Sequence, residues 1–229
     1  MRKYRVLTLY YHRVNDIEMD YNLLCVTPCV FRQQMLYLKH NYPIVRFEDD
    51  WSRLDSDAVA ITFDDGYRDN LIYALPILEE LEIPATIFVS TGTMDQGREL
   101  WWDELERVLL RGSDFPTLFR LEDETFPCQW DTSTYGHRKN CYVGLHYLMK
   151  NFAGLSKREK WLEQLWEWRG MNRIVDKGNL TVSADDCRKL ANSDMISLGG
   201  HTISHPSLAC LSKEEQEVEI RDSLEALEE

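Results

Sequence analysis

The sequence has no C-x-x-C pair among its six cysteines, Cys25, Cys29, Cys128, Cys141, Cys187 and Cys210, which argues against a cysteine-bound zinc. It has no apolar run of membrane-spanning length. Basic residues are few: 26 Lys and Arg stand against 39 Asp and Glu, for a net charge of −13. A phosphate backbone needs clustered cations, so this balance argues against a nucleic-acid partner. An acidic surface suits a neutral or cationic substrate instead. Met1-Arg2-Lys3-Tyr4-Arg5 is basic, but Val6–Tyr11 is too short for the apolar core of a signal peptide and runs into His12-Arg13. These absences lead to the expectation of a reducing, cytoplasmic setting with free, buried thiols. Internal repeats and low-complexity linkers are absent too. With 229 residues, 44% of them hydrophobic, the chain can bury a sizeable core.

What is present is an alternation of apolar runs and helical periods. Val6 to Tyr11 reads as a buried strand. Thr27-Pro28 predicts a helix start, with Thr27 as N-cap and Phe31, Met35 and Leu38 following at helical spacing. Ile44 to Phe47 is a short strand candidate. Ala58 to Phe63 is continuously apolar, as in a strand covered on both faces. A helix through Leu75, Leu78 and Leu81, starting near Pro76, leads to a strand over Pro84 to Ser90. Strand, helix and strand in that order imply a parallel sheet.

Residues 101–180 change character and read as a mainly helical insertion. A helix opens at Trp101 and ends near Gly112, and a hairpin is predicted between Phe119 and Trp130. Ser156-Lys157-Arg158-Glu159 has the form of a capping box before Trp161, Leu162, Leu165 and Trp166. The aromatics of this stretch suit core packing, with sugar stacking by Trp101 or Trp102 as the sharper reading. Ser183 caps a further helix, Met195 to Leu198 is a short strand, and Ser212 to Glu215 opens an acidic helix running to Glu229.

Two motifs carry chemistry. Ile61-Thr62-Phe63-Asp64-Asp65-Gly66-Tyr67 puts adjacent carboxylates at the end of a strand, and Gly199-Gly200-His201-Thr202-Ile203-Ser204-His205-Pro206 puts two imidazoles after another. In parallel α/β sheets functional groups gather beyond the carboxyl ends of strands, so the two motifs can meet on one rim. Pro206 disfavours right-handed helical geometry at His205, so a tight turn, not a helix, must bring the rings together. Neighbouring carboxylates point different ways: one can bind a metal while the other faces a water and takes its proton. A D-x-D phosphatase pattern is absent, and Thr202 stands where His-Glu-x-x-His would need its glutamate.

Thr62-Phe63-Asp64-Asp65-Gly66-Tyr67 resembles the first signature of polysaccharide deacetylases of the NodB-homology type (carbohydrate esterase family 4), and His201-Thr202-Ile203-Ser204-His205-Pro206 resembles the second. Tyr11-His12-Arg13-Val14 and Pro84 to Val89 are also similar to segments of that family. The resemblance implies that Asp64 is the general base, that Asp65, His201 and His205 hold a divalent metal, most often zinc, and that the backbone amide of Tyr67 donates to an oxyanion. It implies hydrolysis of an N-acetyl or O-acetyl group on an oligo- or polysaccharide, with release of acetate. The family's later motifs, including a Leu-x-His that supplies a proton, do not appear after Leu211. The expected architecture is therefore a single α/β domain over residues 1–229, incomplete at its C-terminus. It would be a partial distorted (β/α) barrel with the mainly helical insertion at 101–180. His12 and Trp102 are expected at the substrate, and an incomplete sheet invites self-association. Two rival readings stand beside this one: a relic that binds metal or glycan without turnover, and a metal amidase acting on a small non-sugar amide.

Overall fold

The computed structural model describes residues 4–228. Met1, Arg2, Lys3 and Glu229 lie outside the described residues, and with them the start of the basic N-terminal run and the last residue of the acidic helix. The chain divides into two compact units. The first takes the residues up to Gly97, Leu180–Ile203 and those from Glu217 on; the second takes Arg98–Asn179 and Ser204–Gln216.

The first unit opens with β1 (Val6–Tyr11), then β2 (Arg13–Val14) and β3 (Cys25–Val26), which pair parallel with each other. β1 was expected to be buried; it is a sheet edge. Leu7 is 61% exposed and Tyr10 68%, and among the described residues no strand pairs on its outer side. α1 (Pro28–Asn41) starts where the Thr27-Pro28 pair predicts: Thr27 Oγ1 accepts from the Val30 N–H at 3.4 Å, and Phe31, Met35 and Leu38 are buried. Of Ile44 to Phe47 only Ile44 bridges a strand, at Val59. The Asp49 carboxylate accepts from the Arg46 N–H at 2.9 Å and turns the chain before a strand can extend. β4 (Ala58–Phe63) is buried at every position. A π-helical turn, Asn70–Ala74, leads into α2 (Leu75–Glu80) with Pro76 in its first turn, and β5 (Ala85–Val89) follows.

The second unit contains α3 (Trp101–Leu110), an antiparallel hairpin of β6 (Leu118–Leu121) and β7 (Cys128–Asp131), α4 (Tyr135–Phe152) and α5 (Leu155–Arg169). The predicted capping box at Ser156 does not form. α5 begins at Leu155 with Gly154 as N-cap, so Ser156 falls inside the helix. Glu159 turns instead to Arg98 at 2.5 Å and Arg173 at 2.8 Å. Acidic residues that look solvated in sequence are buried here. Glu99 pairs with Arg107, and Glu104 accepts from Arg173 and from Trp166 Nε1, each at 2.6 Å.

Past the second unit's first segment come α6 (Ala184–Ala191), β8 (Ile196–Gly200) and α7 (Lys213–Glu228). Ser183 and Asp186 form a reciprocal capping box at α6, and Ser212 and Glu215 form another at the start of α7. The main sheet runs β1-β4-β5-β8, all parallel, and does not close into a barrel. One face carries the apolar core: Ile61, Phe63, Ile87 and Val89 pack with Phe31 and Met35 of α1, Leu78 of α2 and Leu190 of α6. By the two-residue alternation of strands, the other face presents Tyr10, Thr62, Thr86, Phe88, Ser197 and Gly199. All six cysteines are free thiols, but only Cys141 and Cys187 are buried; Cys29 and Cys210 are exposed, so the expectation of buried thiols holds in part. Among the described residues no helix is long and apolar enough to cross a membrane.

Candidate active site

The carboxyl ends of β4, β5 and β8 carry the two motifs. The Asp64 N–H donates to the Tyr11 carbonyl at 2.9 Å, which extends the β1–β4 ladder by one residue. Immediately beyond, Asp65 and Gly66 both take left-handed backbone, with φ of +73° and +72°. Gly66 is required there, because a Cβ would stand 3.0 Å from Val89 Cγ1.

The histidine loop is strained in the same way. Thr202 has φ +64° and His205 φ +50°. A β-branched residue at positive φ is a true outlier, costing about 1–3 kcal/mol, and survives only where its surroundings over-determine it. The surroundings do so here. His201 N–H donates to the Val89 carbonyl at 2.8 Å, Thr91 N–H to the Thr202 carbonyl at 3.1 Å and Gly92 N–H to the Ile203 carbonyl at 2.8 Å. The Glu219 carboxylate accepts from the Ile203 N–H at 2.9 Å. Pro206 disfavours right-handed helical geometry at His205, which takes left-handed backbone instead.

This backbone brings the sequence-predicted ligands together. His201 Nε2 lies 3.5 Å from the buried Asp65 Oδ1. Asp65, His201 and His205 each offer one ligand atom, and these atoms lie within 4.8 Å of one another. Tetrahedral ligands about 2.0–2.2 Å from one ion stand roughly 3.3–3.6 Å apart, so the trio would close by about 1 Å at its widest to hold one. One carboxylate and two imidazoles are a donor set that fits such an ion.

The other predicted residues take different places. Tyr67 is fully buried and bridges Thr181; Arg68 N–H and the Gly66 carbonyl make the flanking bonds, to Leu180 and Val182. In a bridge of that kind the central residue's own N–H points away from the partner strand. His12 is half-buried at the carboxyl end of β1, edge-on to Tyr10 at 5.7 Å. Burial pushes its imidazole pKa down, while the Asp64 and Asp20 carboxylates push it back up. Trp102 is only 4% exposed, and its ring lies against Trp101 at 5.2 Å and His205 at 4.7 Å. A ring that buried has little face left for sugar stacking, and it packs against the His205 imidazole.

Several neighbours escaped the sequence reading. Asp69, 4% exposed, accepts from Arg13 Nε at 2.8 Å and from the Val14 N–H at 3.2 Å. Asn70 Nδ2 donates to the His12 carbonyl at 2.9 Å. Their position just past the first signature was the available signal. Lys150 had none: its ammonium sits 2.8 Å from His205 Nδ1, and its charge opposes a cation on that imidazole.

Residues 52–117 match the family model for polysaccharide deacetylase, a span that includes Asp64 and Asp65. No curated protein matches significantly. Among solved structures, BC0361, a polysaccharide deacetylase from Bacillus cereus, is 18% identical with a TM-score of 0.55, over 98% of this chain and 46% of that one. The Streptococcus pyogenes deacetylase PplD, in complex with acetate, is 17% identical with a TM-score of 0.51, over all of this chain and 70% of that one. At such identities the likeness is one of fold. The chain spans about half the length of the Bacillus cereus protein. Residues 52–117 are similar to a polysaccharide deacetylase domain, and the fold of the chain is the α/β fold of those structures with the sheet unclosed.

Proposed function

We propose that this chain carries the centre of a metal-dependent carbohydrate deacetylase, which hydrolyses an N-acetyl or O-acetyl group of an oligo- or polysaccharide to acetate. The observation that carries the reading is the gathering of one ligand atom each from Asp65, His201 and His205, beside a second carboxylate at Asp64. Asp65, His201 and His205 hold a divalent ion, most often zinc for this donor set. An ion bound there supplies Lewis acidity at the acyl oxygen and acidity to a water.

The remaining roles belong to the chain's own groups. Asp64 takes the water's proton as general base. The Tyr67 N–H, directed off the bridge to Thr181, donates to the acyl oxygen as charge builds on it. Trp102 fixes the His205 ring by packing. His12 stands on the substrate side of Asp64.

The test is acetate release from an N-acetylated oligosaccharide, with and without chelator, on wild type and on Asp64→Asn, Asp65→Ala and His201→Ala. Chelator-sensitive release is expected, lost with bound metal in Asp65→Ala and His201→Ala. A drop of about 10²–10⁴-fold with metal retained is expected in Asp64→Asn. Equal metal content in wild type and both ligand variants would sink the assignment. One observation favours the relic reading, the Lys150 ammonium against His205. A wild type that binds no metal and releases no acetate, with Lys150→Met gaining metal, would decide for the relic.

A further inference from the structure

We propose that Glu219, on the acidic helix α7, is a positioning residue for the metal ligands: its carboxylate holds the Ile203 N–H and so sets the loop that carries His201 and His205. The inference rests on the deacetylase reading above and deepens it, by naming what aims the two imidazoles.

Ile203 is the midpoint of that loop, two residues from each histidine. Both of its backbone polar groups are taken. Its carbonyl accepts from the Gly92 N–H at 2.8 Å, and its N–H donates to the Glu219 carboxylate at 2.9 Å. The Thr202 carbonyl before it accepts from the Thr91 N–H at 3.1 Å. The turn after β5 thus grips the carbonyl side of the loop with backbone, whereas a side chain grips the N–H. A half-buried N–H needs an acceptor, and a carboxylate makes a stronger hydrogen bond to it than a neutral oxygen does. Thr202, next to that N–H, stands at φ +64°. A β-branched residue leaves this conformation unless the peptides around it are fixed.

α7 is seated so that Glu219 meets the loop. Glu219, Ser223 and Leu227 follow one another at four-residue spacing and share one face of the helix. Ser223 is 1% exposed, and Leu227 packs against the sheet core. Gly200, the last residue of β8, lies directly against this face: a Cβ there would stand 2.6 Å from Ser223 Oγ and 3.1 Å from Leu224 Cδ2. The Ser223 hydroxyl turns back to donate to the Ile220 carbonyl at 2.8 Å. The helix therefore rests on the strand end at Ser223, and Glu219, one turn earlier, reaches the loop that leaves the strand. Several other acids of α7 act locally. Glu215 caps the helix start at Ser212, and Glu217, Asp222 and Glu225 pair with Arg221. Glu219 instead reaches off the helix.

Two imidazoles serve one ion well only if both are aimed before it arrives. Otherwise binding must also order the loop, which weakens affinity. Groups behind the ligands that hold them in place matter nearly as much as the ligands themselves.

The test uses metal-free protein: wild type, Glu219→Gln and Glu219→Ala. Glutamine keeps an oxygen acceptor at the same reach, and alanine removes it. Amide hydrogen exchange, read by NMR, should show the Ile203 N–H exchanging about tenfold or more faster in Glu219→Ala and near the wild-type rate in Glu219→Gln, with the β4 amides unchanged in both. Titration with cobalt(II), followed by visible absorption, should give an affinity about 10-fold or more weaker in Glu219→Ala and within about threefold of wild type in Glu219→Gln. Faster exchange shared by β4 would mean general loosening, and equal losses of cobalt affinity in the two variants would mean that charge alone matters. Either result overturns the positioning role, as does an Ile203 amide whose exchange is unchanged in Glu219→Ala. A wild type that takes up no cobalt sinks the metal reading instead, and the Ile203 exchange still decides whether Glu219 holds the loop.

Discussion

The two compact units are built by different physics. The first is an apolar sheet core: β4 is buried throughout, and the residues of its core cluster are hydrophobic. The second is laced with buried charge, where among the described residues the first has the one buried pair Arg13–Asp69 beside its site loops. Asp103, Glu104 and Glu106 of α3, together with Glu99 before it, are each under 9% exposed, and Arg107, Arg111 and Arg173 answer three of them. Six of the seven tryptophans also fall between Trp101 and Trp168. A sheet core needs only local apolar runs, whereas a buried charge needs a partner of opposite sign that can lie far along the chain. Arg173 reaches Glu104 across 69 residues.

The largest effect should come from breaking that charge network. Arg173→Met leaves the Glu104 carboxylate, with its side chain 7% exposed, without its guanidinium. Removing one partner of a buried pair costs about 3–5 kcal/mol, while replacing both by apolar groups is often neutral. Denaturation followed by tryptophan fluorescence, which reports mainly the second unit, should register that loss. Adding Glu104→Leu should recover most of it. In the first unit Ile87→Ala should cost about 2–5 kcal/mol through its cavity, with no partner substitution to restore it. If Arg173→Met proved neutral, the contrast between the units would collapse.

A pH series sharpens the comparison at a smaller scale. Burial, helped by the charges of Lys150 and Arg158, lowers the His146 pKa from 6.5 to about 4. Between those values the unfolded chain binds a proton that the folded chain refuses. Stability therefore rises with pH in this window: it is complete above about 6.5 and lost as pH falls toward 4. Allowing for partial solvent access, the loss should be on the order of 2 kcal/mol. His146→Gln should flatten the dependence of the denaturation midpoint between pH 7 and pH 5. An unchanged slope in that variant would assign the acid sensitivity elsewhere.

What could be read from the sequence follows the same divide. β4, β5, the α1 cap and the strand before His201 were legible because each is written in a few adjacent residues. So were the two signatures, whose convergence needed only the rule that loops gather at the carboxyl ends of parallel strands. The exposure of β1 was not legible, since an apolar run does not say whether a strand has one neighbour or two. Nor was Lys150 beside His205, because no pattern links residues 55 apart on unrelated elements. The residue type at Trp102 leaves core packing and sugar stacking both open, and only its neighbours reveal that it packs on an imidazole.

Two serines that look alike in sequence give the finest test. Ser183 and Ser156 each stand three residues before an acid, Asp186 and Glu159, ahead of a helical pattern. In the first unit the box closes: the Asp186 N–H donates to Ser183 Oγ at 3.1 Å, and the Ser183 N–H donates to the Asp186 carboxylate at 3.3 Å. In the second, the arginines at 98 and 173 take Glu159, and the helix starts two residues early. Ser183→Ala should cost about 1 kcal/mol, as loss of an N-cap does. Ser156→Ala, inside a helix with no cap to lose, should stay within about 0.5 kcal/mol and can gain slightly from alanine's propensity. Equal costs at the two sites would mean that the second unit's charge network does not override local capping, and the distinction drawn between the units would fail at its most local point.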